Sequence, residues 1–138
     1  MEDKKDKSDR LNYLKKEKAK QEEKDNFYNQ QIEKRKRDLE ENEKEIKYNE
    51  GWIKFHENSI KEHKKKIEET FDLDEKIDQE KKLKFHIEQI EEHHKKTIEY
   101  HKREIEFLKN ELDLFKEGIK KCKKQFEFLD KSIKQNSD

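Results

Sequence analysis

The chain has 138 residues, of which 27% are hydrophobic and 52% charged, and its 36 basic and 36 acidic residues cancel. A rounded globule of this length needs more apolar material to fill one core, and a disordered chain of such low hydropathy normally carries a large net charge. What remains is long helix that buries only a narrow stripe, a reading favoured by the absence of Pro and Val and by only two glycines, Gly51 and Gly118.

Charge patterning points the same way. Residues 1–70 hold 20 bases and 19 acids, so neither half is a basic arm or an acidic tail. Glu33–Arg37, Glu40–Lys44, Glu43–Lys47, Glu50–Lys54, Glu57–Lys61, Glu62–Lys66 and Glu117–Lys121 each place an acid four residues before a base. Such pairs support a helix by roughly 0.2–0.5 kcal/mol each. The opening residues hold no apolar stretch of the signal-peptide kind, and no run approaches the ~20 apolar residues that span a bilayer. One cysteine, Cys122, fits a reducing compartment. A cytoplasmic protein is expected, with the nucleus as the alternative.

In chain order, the ends at 1–8 and 134–138 are expected to fray, and a first helix is predicted over about 9–70. Its signal is a seven-residue repeat: Ile32, Leu39, Ile46, Ile53, Ile60 and Ile67 occupy one heptad position, a. The matching d row is polar, with Arg35, Asn42, Asn49, His56, His63 and Thr70. Within this helix Lys34-Arg35-Lys36-Arg37 has the form of a nuclear localisation or nucleic-acid patch. Acids follow it at once, so a solvated charged face is the expected reading.

A turn is predicted at about 71–75. Asp72 has the position of a helix cap, with Glu75 three residues on completing a capping-box-like pair. The second helix is predicted over about 76–134. Ile98, His101, Ile105, Leu108, Leu112, Phe115, Ile119, Cys122, Phe126, Leu129 and Ile133 alternate steps of three and four, an a/d seam of five heptads. Upstream, Leu83, Ile87 and Ile90 follow a shifted frame, which implies a four-residue stutter near His94.

The fold class is therefore all-α: one extended coiled-coil domain over 1–138, an antiparallel two-helix hairpin, with one continuous helix in a parallel oligomer as the alternative. Folding at about 73 pairs residues whose numbers sum to 147. This sets Leu14 against Ile133, Tyr28 against Ile119 and Ile32 against Phe115. Further along, it sets Asn42 against Ile105, Asn49 against Ile98, Ile53 against His94, Ile60 against Ile87 and His63 against Lys84. In this register Asn42 and Asn49 of the polar d row face aliphatic partners, while His63 against Lys84 and Ile67 against Glu80 fit badly, so a looser end is expected near the turn.

The seam residues Ile32, Leu39, Ile46, Ile53, Ile60, Ile98, Ile105, Leu108, Leu112, Phe115, Ile119, Phe126 and Leu129 form the expected helix-to-helix interface. A second stripe flanks it at positions c and g: Tyr48, Trp52, Phe55, Tyr100, Phe107 and Leu114, with Phe27, Phe128 and Ile90. Contiguous aromatic surface marks interfaces, so a second copy or another helical protein is the expected partner. Of the six histidines, those two helical turns apart stand too far from each other for one zinc ion. His56, His63, His94 and His101 are expected as seam residues, partly desolvated and therefore biased to the neutral form. No metal, cofactor or catalytic residue is expected: there is no Cys-x-x-Cys, His-Glu-x-x-His or Gly-rich phosphate loop. The expected role is structural scaffolding, with a nucleic-acid-associated factor using residues 34–37 as the alternative.

Overall fold

The computed structural model of the protein describes residues 3–137. All regular elements among them are helical: α1 is Lys4–Glu69, α2 is Leu73–Glu88, a π-helical turn covers Gln89–His94, and α3 is Lys95–Asn136. Helix thus begins earlier and ends later than predicted, and residues 4–8 and 134–136 are helical where fraying is expected. The remaining terminal residues 1, 2 and 138 lie outside the described residues.

The break between α1 and α2 is shorter than predicted and excludes one continuous helix. Only Thr70, Phe71 and Asp72 are non-helical. Asp72 has extended φ and ψ of −80° and 120°, and its Oδ1 accepts from the amides of Asp74 (2.9 Å) and Glu75 (3.4 Å). Two of the four orphan donors at the start of α2 are satisfied in this way. Glu75 does not complete a capping box. Its carboxylate instead accepts from the Thr70 hydroxyl at 3.1 Å, and that hydroxyl accepts from the Asp72 amide at 3.3 Å. The helices carry i,i+3 and i,i+4 ion pairs, but not those predicted. Lys95 with Glu91 and Lys96 with Glu92 are the closest of them, at 2.7 and 2.8 Å.

Two compact units divide the chain. A terminal unit comprises Met1–Arg37 and Leu108–Asp138; a turn unit comprises Asp38–Phe107. In each, two helical stretches pack against one another.

In the terminal unit, Ile32, Leu108, Leu112, Cys122 and Leu129 are buried, and Leu11, Leu14, Tyr28, Phe115, Ile119, Phe126 and Ile133 are half-buried. The Tyr28 ring lies 6.0 Å from that of Phe115 and directly over Gly118, where an added Cβ would stand 2.8 Å from it. Arg35 donates from Nε to Glu111 at 2.6 Å, hydrogen-bonds Gln31, and sets its guanidinium 4.9 Å from the Phe115 ring centre. Lys18 reaches Asp130 at 2.7 Å.

The turn unit has a hairpin-like path: the end of α1, the three-residue break, α2, the π-turn and the start of α3. Its buried residues are Asn49, His56, Gln79, Ile90, His94 and Ile98, so four of six are polar. Ile46, Ile53, Ile60 and Leu83 are half-buried, as are Asn42, His63, His86 and His101. The expected pairings are not the ones found here. Asn42 meets His101 in place of Ile105, Asn49 meets His94 in place of Ile98, and His63 meets Gln79 in place of Lys84. His56 meets His86. The polar residues face one another, because a desolvated donor finds an acceptor only in another polar group and leaving it unmade is costly.

The π-turn follows from this pairing. The α1 partners stand seven residues apart, at 42, 49, 56 and 63. Their partners stand at 101, 94, 86 and 79, so the step between His94 and His86 holds one residue more. A π-turn inserts one residue into a helix, and it falls between those two histidines, with the Lys95 amide reaching back to the carbonyl of Ile90. In place of the four-residue stutter expected near His94, one extra residue is accommodated in the π-turn. As a result His86 enters the seam and Ile87, expected there, is 43% exposed.

Candidate functional site: a histidine column under an aromatic roof

The turn unit contains four polar layers, and three share one chemistry. Asn49 Nδ2 donates to the carbonyl of Glu45 at 2.8 Å, which fixes the amide orientation and leaves Oδ1 toward His94. At 2.9 Å the His94 Nδ1 must then carry the hydrogen. The same logic holds at Asn42, whose Nδ2 donates to the carbonyl of Asp38 at 2.8 Å while Oδ1 accepts from His101 Nδ1 at 2.7 Å. His63 Nδ1 stands 2.6 Å from Gln79 Oε1, again as donor. In all three layers the imidazole donates to a carboxamide oxygen, and an imidazolium makes the same bond.

The fourth layer differs. His56 and His86 approach through their Nδ1 atoms at 2.6 Å. Two nitrogens on one tetrahedral zinc sit roughly 3.3 Å apart, so this contact is an N–H···N hydrogen bond with one ring donating and the other accepting. Among the described residues no group of three or more His, Cys, Asp or Glu is arranged to hold a metal ion.

The rings form a column. His63 stacks on His86 at 5.3 Å, His86 lies 4.9 Å from His56, and His56 lies 5.3 Å from His94. Burial holds all three of His56, His86 and His94 below the ordinary imidazole pKa. Neighbouring imidazoles add to it: His94 acts on His56, His56 and His63 act on His86, and His93 acts on His94. The lowering at His56 and His94 follows the expectation for desolvated seam histidines. His86 was missed, because its membership in the seam depends on the π-turn. The eight-residue spacing of His86 and His94 against the seven of His56 and Asn49 was the available signal.

Above the column lies the second stripe. Trp52 is parallel to His94, with 3° between the planes at 6.3 Å, and touches His56 at 6.0 Å. Phe55 lies against His56 (5.4 Å) and His86 (6.3 Å), and Phe85 against the same two rings (6.4 and 5.4 Å). Tyr48, Trp52 and Phe55 also touch each other edge to face, at 6.3 and 5.5 Å. Their outer surfaces stay exposed: 63% of Tyr48, 39% of Trp52 and 53% of Phe55. With Lys47 and Gly51 they line an apolar groove of about 470 Å³. Gly51 has nothing within 4 Å of an added Cβ, so the groove floor is open there.

The other predicted residues fall as follows. Leu39 and Ile105 are half-buried. Tyr100 and Phe107 in the turn unit, and Phe27, Leu114 and Phe128 in the terminal unit, are exposed. Ile90 is buried, not part of the exposed stripe. The basic run at 34–37 is broken up in the terminal unit: Arg35 is held by Glu111, and Lys36 stands 3.9 Å from Glu33. Cys122 is a buried free thiol. No helix among the described residues is long and apolar enough to cross a membrane.

No protein-family model matches the chain, and neither a curated protein nor a solved structure shows significant similarity to it.

Proposed function

We propose that the protein is a non-enzymatic coiled-coil scaffold, an antiparallel hairpin that assembles with a second copy or with another helical protein through the aromatic flank of its turn unit. The observation that carries this reading is the row Tyr48, Trp52 and Phe55. In a chain with 27% hydrophobic residues, three adjacent large aromatics present their outer faces to solvent around one groove. Their spacing of four and three along α1 is the spacing by which one helix lays an apolar edge against another. The opposite sequence directions of the cross-contacts, 42 with 101 through 63 with 79, support the antiparallel arrangement. A buried free thiol at Cys122 suits a cytoplasmic setting.

The test is mass in solution. Sedimentation at micromolar concentration is expected to give a dimer or larger for the native chain and a smaller species for the Tyr48→Glu, Phe55→Glu double variant. A native monomer rules out self-association and leaves the foreign helix as partner. The nucleic-acid alternative predicts an affinity that falls steeply with salt. The engagement of Arg35 with Glu111 and Phe115 weighs against it, and absence of binding at low salt discards it.

A further inference from the structure

We propose that His56 and His86 form a one-proton pair that makes the turn unit an acid-sensitive switch, holding the aromatic face together at neutral pH and releasing it on acidification. The inference deepens the reading of that face by naming its regulation. It is tested inside one chain, so it stands or fails apart from the assembly.

The argument is one of hydrogen-bond valence. In the neutral pair one Nδ1–H donates to the other Nδ1 lone pair across 2.6 Å. A first added proton settles on Nε2 of the donating ring and leaves that bond in place. A second must occupy the accepting Nδ1, where it replaces the lone pair that the bond requires and sets two cations 4.9 Å apart, centre to centre. The other three layers are spared, because each imidazole there already donates to a carboxamide oxygen. Only one of the four layers is broken by protons.

Nothing near the pair neutralises a second charge. Its titratable neighbours in the column are His94 beside His56 and His63 beside His86, both at 5.3 Å. The charged side chains flanking it on α1, Lys54 and Glu57, and on α2, Lys82, Lys84 and Glu88, are exposed. Lys82 pairs with Asp78 and Lys84 with Glu88. Among the described residues no ion pair ends on either ring. A hollow of about 280 Å³ lined by Trp52, His56, Gln89 and His94 gives protons a way in. Phe55 and Phe85 rest on both rings of the pair, so parting the rings removes the support of the roof.

His86→Gln tests this by copying the chemistry of the His63–Gln79 layer into the switch position. Below pH 6.5 an unfolded chain carries a proton on both rings, whereas the folded native pair carries at most one. The native unfolding constant is therefore expected to rise about tenfold more per pH unit than that of His86→Gln as pH falls toward 5. His101→Gln, altered in a donor layer, is expected to keep the native slope. Equal slopes for the native chain and His86→Gln overturn the proposal. Should His86→Gln fail to fold, the native chain decides by ring titration under nuclear magnetic resonance. One proton shared by the two rings until Trp52 fluorescence changes supports the pair. Two protons taken up while Trp52 emission and amide protection stay unchanged overturn it. Trp52 is the sole tryptophan, so the emission reports the turn unit, where its ring lies against His56 and His94.

Discussion

The terminal unit and the turn unit are built from the same α1 helix and from partner helices of similar composition, yet they are held together differently. In the terminal unit the interior is Leu108, Leu112, Cys122 and Leu129 against a sparser row of Ile32, Leu11 and Leu14, and polar side chains such as Arg35 lie at its margin. In the turn unit four polar layers occupy the interior itself. Apolar packing is non-directional and tolerates sliding, whereas a polar layer demands one particular partner at hydrogen-bond distance. Among the described residues no buried side-chain nitrogen or oxygen lacks a hydrogen-bond partner. The turn unit thus gains a unique register, the effect that buried polar groups have in coiled coils. The terminal unit gains cohesion.

The largest effect that separates the units comes from truncation. Leu112→Ala in the terminal unit is expected to cost about 2–5 kcal/mol in denaturant unfolding. A cost well under 1 kcal/mol would show that this interior is not closed. Asn49→Ala orphans His94 Nδ1–H and is expected to cost about 1–3 kcal/mol. Its companion His94→Leu, which removes the other half of the layer, should recover part of that loss. A double variant no better than the single would deny that the two groups are coupled.

The glycines sharpen the comparison by sign. Gly118→Ala drives a methyl into the Tyr28 ring and should destabilise by about 1–3 kcal/mol. Gly51→Ala meets nothing and should stabilise its helix by up to about 1 kcal/mol. Thermal melts of the two variants are expected to move in opposite directions.

Acid is expected to act on one unit only. His56, His86 and His94 have lowered folded pKa values, so the unfolded chain binds more protons below its imidazole value of about 6.5. Stability is full above that pH and falls as pH drops from there through the lower folded values. Hydrogen exchange at pH 5.5 should show protection lost around residues 49–94 before the terminal unit. Uniform loss across both units would break the distinction. The smallest effect belongs to the exposed Lys18–Asp130 contact: Lys18→Gln is expected to leave the melting temperature where it was.

Much of the local structure was legible in the residues. Asp72 announced its own role, because a carboxylate two and three residues before free amides caps a helix whatever lies around it. The exposure of Tyr48, Trp52 and Phe55 likewise followed from their place beside the heptad rows. The site proper was only half legible. Heptad spacing places Asn42, Asn49, His56, His63, His94 and His101 in the seam, but the register that sums to 147 sets Asn42, Asn49 and His94 against isoleucines and His63 against a lysine. The step of eight between His86 and His94 was the missing datum. A frame drawn through Ile87 looks better by hydrophobicity, and it is overruled because it leaves four buried polar groups without partners.

The sequence by itself determined that this chain is helical, where α1 stops, and which side of α1 and α3 faces inward, because those properties depend on spacing along one strand of chain. Which residue meets which across the turn unit, the π-turn at Gln89–His94, and the meeting of His56 with His86 were decided only in the tertiary structure. A periodic stripe looks nearly the same after sliding by one turn, so the relative offset of two stripes is absent from either one. Paired hydrogen bonds between specific polar side chains remove that degeneracy, and they exist only once the helices are side by side.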